Sequence, residues 1–391
     1  MASELIGWLE DLRSYVRVIR GWRTLRKPGR GIDYRSDEYT EQVRRTVERL
    51  HPRRMQLRVK EVIRQTPTAK TLRFERTDGP LPPFRAGQYV SLLCEIDGVR
   101  TSRPLSISSP PGADFLDLTV REKPGGFVSS HLVSRVKAGD TLVSTGPVGG
   151  FYYEPLIDGE DLVFLAGGSG ITPFMSILRW AAAQDWPFTV RLLYGSRTPD
   201  DVIFDGELKA LAKGSDRFDY NAVISEPPEG YDGLAGLIDA DLLAERIGDP
   251  AGKTFYLCGP CAMYDFCLPQ LEKFGVPRHR IRRELYGPPQ DVTREPGWPE
   301  GLRPDAKFSV EVLGRKTVEA AAGEPLLCSL ERGGLAVEAL CRSGECSACR
   351  ARLLSGRVFM PEGVGLRQSD RKSGYIHCCV SYPLEDLKIR I

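Results

Sequence analysis

CRSGECSACR, residues 341–350, constrains this chain more than any other stretch, because cysteines spaced C-x4-C-x2-C can act together only if one loop gathers them. Some thirty residues later, GYIHCCVSYP adds the doublet Cys378 and Cys379. Cys341, Cys346, Cys349 and one later cysteine suit a [2Fe–2S] cluster, in which four thiolates hold two irons and loop N–H groups stabilise the sulfides. A structural zinc site is the alternative, although zinc ligands usually come as two close C-x-x-C pairs. The ten cysteines crowd toward the C-terminus, and in a reducing compartment such crowding favours metal ligation over disulfides. That last quarter of the chain must therefore fold into a small domain around a loop.

A length of 391 residues predicts two or three domains. Residues 1–53 read as a basic helical extension: Leu5, Trp8, Leu9, Leu12, Val16 and Ile19 recur at helical spacing while seven Arg and Lys accumulate between 13 and 30. A second helical stretch over 36–50 should stop at His51-Pro52. Both helices either pack on the protein's own body or meet something outside it. Residues 54–157 change to short alternating strands such as LRVKEVI and QYVSLLCEI, which predict a small antiparallel barrel. In 158–287 apolar strands (DLVFLAG, TVRLLYG, TFYLCG) alternate with helical stretches, the pattern of a doubly wound parallel sheet. Residues 288–305, rich in Pro, Gly and charge, read as a linker, and 306–391 open with the strand FSVEVL. The net charge of +2 gives no argument for nucleic acid. No apolar run reaches 18 residues, and MASELIGWLEDLR lacks a signal peptide's order, so the expected location is the cytoplasm.

Several short stretches carry chemistry. RPLSISSPP has the form Arg-x-x-Ser, where Arg103 can hold a flavin phosphate and Ser106 can hydrogen-bond the flavin N5 region. GGFVSSHL offers Gly125, Gly126, Ser129 and Ser130 where a short helix can begin and its N–H groups can take a pyrophosphate. LAGGSGITPFMSIL reads as strand, glycine turn and helix, a cradle for a dinucleotide. YLCGPCA holds Cys258 and Cys261 in a C-x-x-C arrangement, which raises a thiol–disulfide alternative. After strands, Ser196 and Arg197 hint at a 2′-phosphate, whereas Glu226 would repel one and favours a bare ribose diol.

In this order the motifs resemble the ferredoxin–NADP reductase superfamily, and the domain order resembles phthalate dioxygenase reductase-type proteins. The resemblance implies a flavin barrel, a nicotinamide-dinucleotide domain and an α+β (β-grasp) plant-type ferredoxin domain. It makes Gly167, Gly168, Gly170, Thr172 and Pro173 the nicotinamide loop, and it selects Cys379 as fourth ligand through the stretch G-Y-I-x-x-C-x-x-x-P. Cys258, Gly259 and Pro260 match the family's Cys-Gly-Pro-x-x-Met, which places Cys258 beside the nicotinamide and Cys261 at a variable position. The resemblance also implies that Pro104 and Leu105 lie against the flavin, with Leu105 where the family commonly has an aromatic. Glu284 and Tyr286 fall near the flavin, where Glu284 steers the hydride or relays a proton from Ser106. The implied cofactors are FAD, with FMN as alternative, NADH, with NADPH as alternative, and a [2Fe–2S] cluster. The implied activity is an NAD(P)H-dependent reductase, because hydride brings two electrons, the cluster takes one, and a flavin must stand between them. Its acceptor would be a partner protein such as an oxygenase, a desaturase or a corrinoid or other metalloprotein, docked through the N-terminal helix, which would also suit peripheral contact with a membrane. The rivals are a thiol–disulfide oxidoreductase and a non-catalytic electron-complex subunit.

Overall fold

The computed structural model describes Val16 and residues 37–391. The amphipathic helix expected over the first thirty residues lies outside the described residues, Val16 excepted. The segment up to Pro52 forms one unit and Arg53–Ile391 another. In the first, helix α1 (Asp37–Leu50) is supported by Glu41, which pairs with Arg44 and Arg45 one turn on.

The second unit begins with six antiparallel strands: β1 (Met55–Arg64), β2 (Ala69–Arg76), β3 (Tyr89–Ile96), β4 (Val99–Ser106), β5 (Leu116–Arg121) and β6 (Thr141–Ser144). Their order is β4-β3-β6-β1-β2-β5, and a bridge between Ile107 and Leu118 joins the end of β4 to β5, closing the barrel. Strict alternation explains β1: Met55, Leu57 and Val59 point into the core and their neighbours point out. Helix α2 (Phe127–Ser134) plugs the barrel with Val128, Leu132 and Val133.

Strands β7 (Asp161–Gly167), β8 (Thr189–Ser196), β9 (Phe218–Ile224), β10 (Leu234–Ala235), β11 (Thr254–Cys258) and β12 (Ile281–Glu284) form a parallel sheet in the order β10-β9-β8-β7-β11-β12. β7 and β11 are apolar runs because both sheet faces are covered, which gives two cores. Helix α3 (Ile171–Ala183) packs on one face, and α4 (Ala240–Ile247) and α5 (Cys261–Lys273) pack on the other. The order reverses between β7 and β11, so their C-terminal ends open the crevice where such sheets bind ligands.

The remaining strands, β13 (Lys307–Val312), β14 (Thr317–Ala321), β15 (Arg350–Ser355), β16 (Val358–Phe359), β17 (Tyr375–His377), β18 (Tyr382–Pro383) and β19 (Leu387–Arg390), build a mixed five-stranded sheet β14-β13-β19-β15-β17 and a small β16-β18 pair. Helix α6 (Leu326–Arg332) packs across this sheet. The stretch expected as a linker is in fact packed: Val292 is buried, and the Trp298 ring meets Phe359 at 5.4 Å and Tyr382 at 6.3 Å. Its prolines and glycines make turns over an apolar patch. Among the described residues no helix is long and apolar enough to cross a membrane.

Candidate functional site

The turn after β7 and the turn after β11 meet backbone to backbone. A Cβ on Gly170 would lie 2.2 Å from Cys258 O and 2.7 Å from Gly259 Cα, and one on Gly167 would lie 2.4 Å from Met263 Sδ. Glycine is required here by close approach, since Gly170 itself has an ordinary helical φ of −64°. Thr172 Oγ1 donates to Ser169 O at 2.9 Å and ties down the start of α3. Gly168, at φ +52°, turns its carbonyl to accept from Tyr194 Oη at 2.8 Å.

A cleft of about 600 Å³ opens between these turns and the barrel. Arg103, Pro104, Leu105, Ser106, Gly126 and Ser129 line the barrel side, and Gly167, Gly168, Gly170, Thr172, Cys258, Gly259, Pro260 and Tyr286 line the rest. Gly125, Ser130, Pro173 and Glu284 do not line it. Gly125 makes the preceding turn at φ +70°, Ser130 bonds back to Gly126 O, and Pro173 is buried in α3. Ser196, Arg197 and Glu226 also lie outside it, at the C-terminal ends of β8 and β9, where Glu226 N–H donates to Arg197 O at 2.8 Å. Ser196 is buried, and Arg197 is exposed and 3.8 Å from Asp201.

Ser106 Oγ lies 2.9 Å from Tyr286 Oη, and Tyr286 is electrostatically coupled to the nearby Glu284 carboxyl. β11–β12 pairing sets Glu284 opposite Cys258. Burial first, then the nearby Glu345 charge, pushes Glu284 up to about 8. Burial also raises the Cys258 thiol well above its ordinary value, and it raises Cys261 as well. Burial that disfavours the thiolate is the opposite of what disulfide exchange needs.

The cleft fits a flavin by its donors. The first turn of α2 faces it, Ser106 presents a hydroxyl, and Arg121 and Lys123 add cations. Those two cations were missed in the sequence, where only the glycines and serines of that stretch stood out; a basic pair ending a strand just before a glycine turn was the available signal. Arg103 is divided. Its Nη1 donates to Thr101 Oγ1 and Ser102 O, each at 2.7 Å, on the side away from the cleft.

In the loop from Cys341 to Cys349, the amides of Ser343 and Cys346 both donate to Cys341 Sγ at 3.4 Å. Arg342, Gly344 and Ser347 adopt left-handed backbone, which turns those amides inward. The four side chains lie close enough to couple electrostatically, Cys346 with Cys341, Cys341 with Cys379 and Cys379 with Cys349. Cys378 is fully buried, and its amide donates to Cys349 O at 3.1 Å. Among the described residues no three His, Cys, Asp or Glu side chains converge on one ion position. A row of four sulfurs with inward amides fits a two-iron group better than a single zinc. Tyr89 joins the two sites: its ring meets Tyr286 edge-on at 5.7 Å, and burial first, then the nearby Cys341 and Cys346, raise its phenol above the ordinary value.

Three family models match in the same order: an oxidoreductase FAD-binding domain over 55–153, an oxidoreductase NAD-binding domain over 164–268 and a 2Fe-2S iron-sulfur cluster binding domain over 310–384. The chain is 30% identical over 350 residues to the glycine betaine monooxygenase reductase subunit of Pseudomonas aeruginosa, covering 85% of this chain and 94% of that one. It is 31% identical over 340 residues to the NADH oxidoreductase HCR of Escherichia coli, covering 86% and 97%. Among solved structures, phthalate dioxygenase reductase superposes with a TM-score of 0.63 at 22% identity over 86% of this chain and 98% of that one, a likeness of fold.

Proposed function

We propose that this chain, which belongs to the ferredoxin–NADP reductase superfamily as a phthalate dioxygenase reductase-like flavin and [2Fe–2S] oxidoreductase, delivers its electrons to the terminal component of an oxygenase. It is an NAD(P)H-dependent reductase component with FAD-binding, NAD-binding and [2Fe–2S] domains. When bound, the flavin supplies the conversion of a hydride pair into single electrons that a cluster can take. The observation that carries the reading is the shared strand pair: β4 carries Ser106 at the cleft and β3 carries Tyr89 against the cleft-lining Tyr286, while Ser91 and Ser102 of the same strands donate to Ala339 O at 3.3 and 3.1 Å, just ahead of Cys341. Cleft and cysteine loop are thus mounted on one support.

In this reading Cys341, Cys346, Cys349 and Cys379 hold the cluster. The 167–173 turn receives the dinucleotide pyrophosphate, Gly259 and Pro260 shape the nicotinamide side, and Cys258 packs against the ring. Ser106 fixes the flavin edge, and Tyr286 links it to Glu284, whose raised carboxyl keeps a proton near neutral pH. Arg121 and Lys123 serve the flavin phosphates alongside Gly126 and Ser129. Glu226 would favour NADH, because a carboxylate at that strand end repels a 2′-phosphate. The domain limits we adopt are 54–157, 158–287 and 306–391, with a packed connector between the last two. The 1–53 extension serves as a docking arm for the acceptor in the cytoplasm.

The test is reconstitution. The purified chain, NADH and the oxygenase component of a glycine betaine system are combined, and NADH-dependent product is measured. Product coupled to NADH oxidation supports the oxygenase assignment. Dye reduction without coupled product would leave the reductase and remove that acceptor. Removing residues 1–52 should leave dye reduction within about twofold and lower coupled product at least about tenfold.

A further inference from the structure

The seam between the barrel and the cysteine-bearing domain holds buried charges that the chemistry above does not use. Arg342, next to Cys341, is 5% exposed, and Glu331, in the last turn of α6, is 6% exposed. Arg342 Nη1 donates to Glu331 Oε1 at 3.0 Å, to Ser102 O at 2.9 Å and to Thr101 Oγ1 at 3.2 Å, and Nη2 donates to Glu331 Oε2 at 2.5 Å. Thr101 Oγ1 closes the ring by donating to Glu331 Oε2 at 3.0 Å. One guanidinium therefore grips β4 of the barrel and α6 of the other domain together.

The backbone shows that the loop is bent to deliver it. Arg342 has φ +58°, a left-handed conformation that a long side chain rarely adopts. Burying two charges is a weak way to gain stability, because desolvation offsets most of their attraction. It is an effective way to fix geometry, since any slip of the loop along β4 leaves a buried charge without its partner. The same strand serves both sides: Thr101 and Ser102 hold Arg342, and Ser106, four residues beyond Ser102 at the strand's end, lines the cleft.

We propose that Arg342 and Glu331 are positioning residues that set the spacing between the flavin cleft and the cysteine loop, and with it the rate at which an electron crosses from one to the other. This rests on the reductase reading given above. Any loosening of the pair should slow that crossing while leaving the nicotinamide side untouched, because no residue of the 167–173 or 258–260 turns contacts the ring of bonds.

The full-length holoprotein is mixed anaerobically with NADH in a stopped-flow instrument, and flavin bleaching and cluster bleaching are followed as separate phases. Iron content and the EPR spectrum of the reduced cluster are recorded for each variant. Glu331→Gln keeps the side chain's shape and removes its charge. The expected result is wild-type iron content and EPR spectrum, flavin bleaching within about twofold of wild type, and a cluster phase slowed about tenfold, in keeping with the sensitivity of transfer steps to misplacements of an ångström or less. Glu331→Asp, which restores the charge, should recover part of the rate. A purely structural role would lower iron content or melting temperature without separating the two phases. If Glu331→Gln sheds the cluster, Thr101→Val decides: a slowed cluster phase supports the proposal and a wild-type phase overturns it. An unaltered cluster phase in Glu331→Gln overturns the inference alone, whereas a wild-type protein whose flavin bleaches with no cluster phase overturns the reductase reading with it.

Discussion

Replacing Gly170 by alanine tests whether the two turns of the nucleotide domain must touch. The added Cβ would sit 2.2 Å from Cys258 O, 2.5 Å from Cys258 C and 2.7 Å from Gly259 Cα, all main-chain atoms. Carbon and oxygen need roughly 3.4 Å or more, so the turns would have to part by about 1 Å, and no flexible side-chain end is present to give way. Backbone overpacking of this kind costs about 1–3 kcal/mol. The same displacement moves Cys258 and the 167–170 turn relative to one another, and a misplacement of about 1 Å at a transfer site can cost on the order of 10²-fold in rate. Gly150→Ala is the control, because a Cβ there meets nothing within 4 Å. The assay is single-turnover flavin bleaching by NADH, with melting temperature measured in parallel. Gly170→Ala should melt several degrees lower and transfer hydride about ten- to a hundredfold more slowly, while Gly150→Ala matches wild type. A Gly170→Ala protein that bleaches its flavin at the wild-type rate would refute the claim that contact between the two turns positions the nicotinamide.

Cys379→Ala should lose bound iron and Cys378→Ala should keep it, read by metal analysis of the purified variants, because only Cys379 reaches both Cys341 and Cys349. Cys258→Ala should slow flavin reduction by about tenfold, or about 1.4 kcal/mol in the barrier, and Cys261→Ser should stay within about threefold; the opposite ranking would revive the dithiol reading. For Glu284, with a carboxyl at about 8 against an ordinary 4.5, the folded protein holds a proton that the unfolded chain loses. Its neutral form is therefore the stable one, its contribution is complete below about 4.5, and it is lost as pH rises through about 8. Flavin reduction that uses this proton should fall about tenfold per pH unit above that point, and Glu284→Gln should show a flat profile across it.

What the sequence makes legible is whatever a short window contains. The alternation in β1, the buried run of β7, the cysteine spacing and the two glycine turns each announce their structure within about fifteen residues, since each depends on local period or local backbone. β12 carries no such local signal. Ile281–Glu284 has one apolar residue in four and is a strand only because β11 pairs with it. Trp298 says nothing in sequence because its partners, Phe359 and Tyr382, come from elsewhere in the chain.

The same distinction separates the parts of the site. The groups expected to hold cofactors are motif residues, but those that place one cofactor relative to the other are long-range pairs: Ser106 and Tyr286 are 180 residues apart, and Thr101 and Glu331 are 230 apart. Arg103 shows the cost of reading a motif alone. Its pattern assigns it to the flavin phosphate, yet its Nη1 shares Thr101 Oγ1 and Ser102 O with Arg342. Burial disfavours its charge, and the neighbouring Arg342 cation adds to that. The buried Arg342 and the half-buried Arg103 thus share the neighbourhood of one carboxylate, Glu331, and Arg103 also lines the cleft. A phosphate bound in that cleft would offset the extra positive charge, and in the proposed reading Arg103 would then connect the flavin site to the residues that hold the cysteine loop.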